Sequence, residues 1–228
     1  MLKRALITGG AQRLGAELVR AFAQAGWEVW CHYQRSEKQA LELQAQLKPE
    51  GFLLHLIQAD LSNQAEMVCM MDTIHREGGT LHALVNNASL FEPDTGHTML
   101  TQSTMAQLQV NLIAPMLLGQ MLAQQVAQQP GAHACVIHVL DQKVFNLNPD
   151  YFSYTLSKQA LERAVELQAQ ALAPQVRVCG VAPGLMYLSG PQAQDNFEAA
   201  SRINLLRQPT DPRDVAKTCL FLAETPSI

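Results

Sequence analysis

The chain has 228 residues, 48% of them hydrophobic, and carries 16 Lys+Arg against 20 Asp+Glu for a formal net charge of −4. This is enough apolar sequence for the core of one large α/β domain, and no linker, charge block or repeat divides it, so a single domain over 1–228 is expected. The mild acidity without a basic run excludes a nucleic-acid or membrane-surface binder, and the lack of any long apolar run or leader points to a cytoplasmic protein.

Strand-like segments at Arg4–Thr8, Glu28–Tyr33, Phe52–Gln58, Ala83–Asn86, Ala134–Leu140 and Arg177–Val181 alternate with helical patterns at Arg13–Ala25, Glu37–Leu47, Gln64–Glu77, Thr104–Gln128, Tyr151–Leu172 and Pro212–Leu222. That alternation predicts a doubly wound parallel sheet with helices on both faces. Ligands of such sheets lie beyond the carboxyl ends of the strands, so the long connections after Asn87 and Pro183 are expected to cover a site.

The first strand runs through ThrGlyGlyAlaGlnArgLeuGly, Thr8 to Gly15, directly into a helix. Gly9 and Gly15, around Arg13 and Leu14, permit a tight turn and bring a pyrophosphate close to the free N–H groups of the helix start. The second strand ends in His32, Tyr33, Gln34, Arg35 and Ser36, where a dinucleotide's adenosine ribose would arrive. No acidic tip is present to bind ribose hydroxyls. Arg35, with Ser36 capping the next helix, therefore favours the 2′-phosphate of NADPH; the competing reading is an exposed arginine beside an ordinary cap.

Further along, Asp60, followed by Leu61, can accept from an adenine amino group or close a turn. Asn86, Asn87, Ala88 and Ser89 form a polar cluster after an apolar run, suited to bracing backbone beneath a cofactor. Phe91 either anchors its loop or stacks on a flat substrate. Asn111 sits in a helical pattern four residues before Pro115, which has no N–H to return to the Asn111 carbonyl, so a kink is expected there. A carbonyl released in this way can hold a water.

Tyr154 and Lys158 stand four apart on one helix face. An ammonium beside a phenol lowers the phenol pKa and makes a general acid; an exposed pair on an amphipathic helix is the plainer alternative. The five scattered cysteines lack a CxxC pair and the seven histidines lack metal-ligand spacing, so neither a disulfide framework nor a metal is expected.

Taken in order, the turn Thr8–Gly15, Asn86–Asn87–Ala88, Asn111, Tyr154-x-x-x-Lys158 and Pro183–Gly184 resemble the short-chain dehydrogenase/reductase family over nearly the whole chain. The resemblance implies a Rossmann-type sheet, Tyr154 as general acid, Lys158 on the nicotinamide ribose and lowering the tyrosine pKa, and Asn111 anchoring a relay water. Two departures, Arg13 for a turn glycine and Asp141 for the usual serine, resemble the pteridine reductase branch. That branch includes bacterial dihydromonapterin and alternative dihydrofolate reductases and reduces a pterin ring with NADPH. It implies that Arg13, Ser89, Phe91, Asp141, Tyr154 and Leu185 hold the pterin, and that the protein is a homo-oligomer, either tetramer or dimer.

Asp141 also has a physical reading of its own. A carboxylate repels a developing oxyanion, which a serine hydroxyl would stabilise, whereas it suits the donor-rich edge and ring nitrogen of a pterin. The expected activity is NADPH-dependent reduction of a dihydropterin: dihydrobiopterin, dihydromonapterin or dihydrofolate. The alternatives are a carbonyl reductase of another cyclic substrate and an idle NADPH-binding sensor. The family's closing ValAspGlyGly strand, through which its tetramer partly packs, is not found before Ile228, so the expectation is either a chain cut short or a sheet without that edge strand. The segment Leu185–Leu206 is expected to be a mobile cover over the substrate.

Overall fold

Most of the strand-like segments are apolar along their length rather than alternating, the pattern of strands covered on both faces. The computed structural model, which describes residues 2–188 and 194–227, has six such strands: β1 (Arg4–Ile7), β2 (Glu28–Tyr33), β3 (Leu54–Gln58), β4 (Ala83–Asn86), β5 (Ala134–Val139) and β6 (Val176–Val181). They form one all-parallel sheet in the order β3-β2-β1-β4-β5-β6, a Rossmann-type arrangement whose strand order reverses between β1 and β4.

The helices are α1 (Arg13–Gln24), α2 (Glu37–Leu47), α3 (Gln64–Gly78), α4 (Thr101–Leu108), α5 (Ala114–Ala127), α6 (Phe152–Leu172), α7 (Gln194–Ser201) and α8 (Pro212–Glu224). On one face α1 buries Leu14, Leu18, Val19 and Phe22 in a helical stripe, against a core shared with α2 and α8. Phe22 meets Trp27 edge to face at 5.1 Å. On the other face Met67, Met71 and Ile74 of α3 join Leu118, Leu122 and Val126 of α5. Each large side chain removed from water in this way contributes about 1.5–3 kcal/mol.

Most expected elements appear within a few residues of their predicted bounds. The kink expected at Asn111 takes the form of a π-turn at Gln109–Ile113, which joins α4 to α5. There the Ala114 N–H donates to the Gln109 carbonyl, five residues back, because Pro115 cannot continue the α ladder. Helix α7 lies in the segment expected to be a mobile cover, while 189–193 fall outside the described residues.

A buried polar chain ties this break to the sheet. The Asn86 amide donates to the Pro115 carbonyl and to His138 Nδ1, both at 3.3 Å. His138 Nε2–H donates to Gln168 Oε1 at 2.9 Å, and the Gln168 amide donates to the Met116 carbonyl at 3.0 Å. Burial holds His138 neutral, with its pKa lowered to about 4 mainly by desolvation, and the same cause takes His32 to about 4.

Acid stability should report these two imidazoles. Between pH about 4 and 6.5 the unfolded chain binds protons that the folded chain refuses, so stability falls as pH drops through that window. The loss is on the order of 3 kcal/mol per histidine. Urea midpoints across this range should fall, and His138→Gln should remove about half of the slope.

Candidate active site

The cleft lies over the carboxyl ends of β1, β4 and β5 and encloses about 670 Å³. Its foundation is Thr8. The Thr8 hydroxyl accepts from the N–H groups of Asn87 and Ala88, each at 3.0 Å, and the Asn87 amide donates to the carbonyls of Thr8 and Gly9 at 2.9 and 3.1 Å. These bonds lock the tip of β4 to the glycine turn. Within the turn Gly9 adopts φ 61°, and a Cβ on Gly15 would be driven into the Gly9 carbonyl oxygen.

The N–H of Gly9 donates to His32 Nδ1 at 3.1 Å, while His32 Nε2–H donates to the Ala59 carbonyl at 3.0 Å. His32 therefore lines the cleft while both ring nitrogens serve the backbone. At its N-terminus, facing the cleft, α1 has neither a side-chain cap nor an acidic residue in its first turn. The turn and this uncapped helix start fit the diphosphate of a dinucleotide.

At the far rim of the turn end, Tyr33, Arg35, Ser36, Asp60 and Leu61 line the cleft together. Ser36 does not cap α2 as expected. Its φ of −92° and ψ of 44° depart from the extended backbone that aims a cap hydroxyl at the helix, and its side chain makes no cap bond. Asp60 closes a turn, its Oδ1 accepting from the N–H and hydroxyl of Ser62 at 2.8 and 2.7 Å. Partial burial raises the Asp60 pKa, but those bonds, a bond from Gln34 and the Arg35 charge together bring it below the ordinary value.

The chemical end is built on β5, on α6 and on the loop after β4. The Leu140 and Gln142 N–H groups donate to the carbonyls of Val181 and Pro183, which draws Pro183 and Gly184 alongside Asp141. Asp141 Oδ1 accepts from the Lys143 N–H at 2.9 Å, leaving Oδ2 to accept from the Tyr154 hydroxyl at 2.9 Å. Lys158 is 2% exposed, and its Nζ donates to the Val139 carbonyl at 2.7 Å.

This geometry corrects one expectation. The Tyr154 pKa is not lowered by Lys158 but raised well above 10, by burial first and then by the charge and hydrogen bond of Asp141; only a Ser89 bond pulls the other way. The ammonium is turned to the end of β5 and lies 5.8 Å from the tyrosine ring centre. Burial lowers the Lys158 pKa to about 8, opposed by Asp141.

Asn111 stands behind the cleft and clasps its loop. Oδ1 accepts from the Leu90 N–H at 2.7 Å and the Ser89 hydroxyl at 3.2 Å, and Nδ2 donates to the Leu90 carbonyl and Ser157 Oγ. Phe91 stacks on Tyr151 at 4.0 Å and 9° and meets Tyr154 edge-on at 4.5 Å. Arg13, at φ 51°, donates to the Leu188 carbonyl at 3.1 Å and lies 4.8 Å from the Tyr187 ring centre, beyond Leu185. No local sequence pattern singles out Tyr151 or Tyr187. A second space of about 1970 Å³ adjoins the cleft past Phe91, Asp141, Gly184 and Leu185. Among the described residues no group of three His, Cys, Asp or Glu is placed to hold a metal ion.

A model of the short chain dehydrogenase family matches residues 3–198. Pteridine reductase 1 of Leishmania tarentolae is 30% identical over an alignment of 260 residues, covering 96% of this chain and 89% of that protein. Dihydromonapterin reductase of Enterobacter sp. (strain 638) is 30% identical over 202 residues, covering 89% and 82%. The crystal structure of FolM alternative dihydrofolate reductase 1 from Brucella suis in complex with NADP superposes with a TM-score of 0.93 at 31% identity, over 99% of this chain and 90% of that one.

The buried lysine has a measurable signature in the protein without cofactor. Unfolding returns Lys158 from about 8 to 10.5, so its burial penalty is complete below about pH 8 and is relieved as pH rises toward 10.5. Cys31 and Cys219, pushed up to about 12 by burial, act oppositely at alkaline pH. The observable is therefore the difference between wild type and Lys158→Met, in which the cysteine contributions cancel. From about pH 7.5 to about pH 10, wild type should gain up to roughly 3 kcal/mol on the variant in urea unfolding.

Proposed function

Because the chain belongs to the short-chain dehydrogenase/reductase family and is an oxidoreductase of that NAD(P)-using class, we propose that it reduces a dihydropterin to its tetrahydro form with NADPH. The observation that carries the reading is the Asp141 carboxylate bonded to Tyr154 beside the Phe91 ring. A carboxylate there opposes a developing carbonyl oxyanion and favours a ring with N–H donors. The names borne by the similar proteins, a pteridine reductase, a dihydromonapterin reductase and a dihydrofolate reductase, support the same class.

In this reading the turn from Gly9 to Gly15 with Arg13 and Leu14 holds the diphosphate, and Arg35 and Ser36 hold the 2′-phosphate. Tyr33, Asp60 and Leu61 border the adenosine. Asn87, Ala88, Ser89, Pro183, Gly184 and Lys158 surround the nicotinamide half. NADPH, when bound, supplies the hydride. Tyr154, kept protonated by burial and Asp141, holds the proton that a reduced ring nitrogen needs. Asp141 Oδ2 takes that proton from Tyr154 and passes it to the ring nitrogen, and the carboxylate binds the amino-pyrimidine edge. Lys158 and the Asn111 carbonyl connect Tyr154 to solvent protons through water.

Phe91, backed by Tyr151, offers a flat surface for the pterin with Arg13 and Leu185 at its margin, and the adjoining space takes the ring substituent. The proposal extends to a homo-oligomer, tetramer or dimer, in the cytoplasm. Among the described residues no helix is long and apolar enough to cross a membrane.

NADPH oxidation with dihydrobiopterin, dihydromonapterin or dihydrofolate tests the activity directly, against simple ketones and quinones as controls. Asp141→Ser should abolish pterin turnover, and unchanged turnover would return the substrate class to unknown. Arg35→Ala should weaken NADPH by about ten- to hundredfold while leaving NADH nearly unaffected; equal weakening of both would remove the 2′-phosphate assignment.

A further inference from the structure

Helix α6 carries both Tyr154 and Lys158, yet it does not cap itself. Its N-cap residue is Tyr151, at φ 55° and ψ 52°, with no side-chain cap bond. The first-turn donors go instead to Asp94, on the loop after β4. The Phe152 N–H donates to the Asp94 carbonyl at 3.2 Å, the Ser153 N–H to Oδ1 at 3.0 Å, and the Ser153 hydroxyl to Oδ2. Ser153 is fully buried, and its oxygen lies 2.8 Å from Thr104 Oγ1 of α4. A carboxylate at the start of a 21-residue helix also sits where the helix dipole favours negative charge.

Asp94 follows Phe91 by three residues, and Phe91 touches both rings at the head of α6: face to face with Tyr151, edge-on with Tyr154. The attachment that starts the catalytic helix therefore also sets the distance between the aromatic surface and the phenol. We propose that Asp94 is a positioning residue for reduction, holding the Phe91–Tyr151 stack at a fixed place relative to Tyr154 and Asp141. It needs no contact with the reacting atoms. Removing it would let the loop at Phe91 lift away, while Ser89 and Leu90, held by Asn111, and the cofactor-holding turn, secured by Thr8 and Asn87, stay put. The inference rests on the pterin reading for its substrate and on the Asp94–Ser153 contact for its geometry.

The test compares Asp94→Ala, Asp94→Asn and wild type for dihydrobiopterin kinetics, NADPH affinity, and amide hydrogen exchange over 89–98 and 152–156. For Asp94→Ala, loss of a helix cap predicts a roughly 5- to 30-fold rise in pterin KM with kcat and NADPH affinity little changed, and faster exchange confined to those two segments. Asp94→Asn, which keeps an acceptor for the Ser153 N–H, should recover most of the KM. An unchanged KM in Asp94→Ala overturns the proposal. So does a joint loss of kcat, NADPH affinity and protection along all of α6, which would mean the residue only stabilises the helix. If Asp94→Ala fails to fold, Ser153→Ala removes one of the three bonds and should give a smaller KM rise in the same direction; no rise overturns the proposal. A wild type that reduces no dihydropterin counts against the substrate reading alone, and the exchange data then decide, unaltered exchange in Asp94→Ala being the overturning result.

Discussion

The site depends on a small knot where the strand order reverses. Thr8 at the end of β1 and Asn87 just past β4 exchange backbone and side-chain hydrogen bonds at 2.9 to 3.1 Å, so the glycine turn and the tip of β4 are held as one piece. Diverging connections leave a crevice at a reversal of this kind, and here the knot forms its floor. His32 holds the turn from below through the Gly9 N–H, and Gly15 lets α1 begin against the Gly9 carbonyl. Replacing Thr8 with valine would loosen the glycine turn from the tip of β4 without changing a residue that lines the cleft.

Fold and candidate site were legible to different depths. The strands could be read because burial on both faces makes them apolar runs, and the helices because their buried residues recur at helical spacing, as in Leu14, Leu18 and Phe22. The cleft residues could be read because their chemistry is unusual for their place: glycines at a helix entry, an asparagine before Pro115, a tyrosine and lysine one turn apart. The direction of the Tyr154 shift was not legible. It depends on whether the lysine or the carboxylate faces the phenol, and only the β5–α6 geometry decides that.

Other features were hidden for a related reason. Tyr151 reads as an ordinary first residue of a helix, yet it takes a left-handed backbone and backs Phe91. Tyr187 becomes relevant only once Arg13 lies over it. Ser36 reads as a cap from its type alone, and its backbone angles deny the bond. In each case the missing information is a long-range contact or a dihedral angle, neither of which leaves a local pattern in the chain.

The π-turn at Gln109–Ile113 sets a limit on how this chain can change in length. A π-turn is one residue wider than the α-turn it replaces, so it takes up one extra residue between α4 and α5 without turning one helix by a full residue step against the other. Each residue of a regular helix advances it by about 100°, and an insertion or deletion outside the wide turn would impose that rotation on α4 relative to α5. Thr104 would swing away from Ser153, and Gln107 from the Glu92 N–H it now accepts. The wide turn acts as a phase keeper: it holds the angular register in which the two helices face different partners, and chains that keep both sets of partners can change length there only where such a turn absorbs the change.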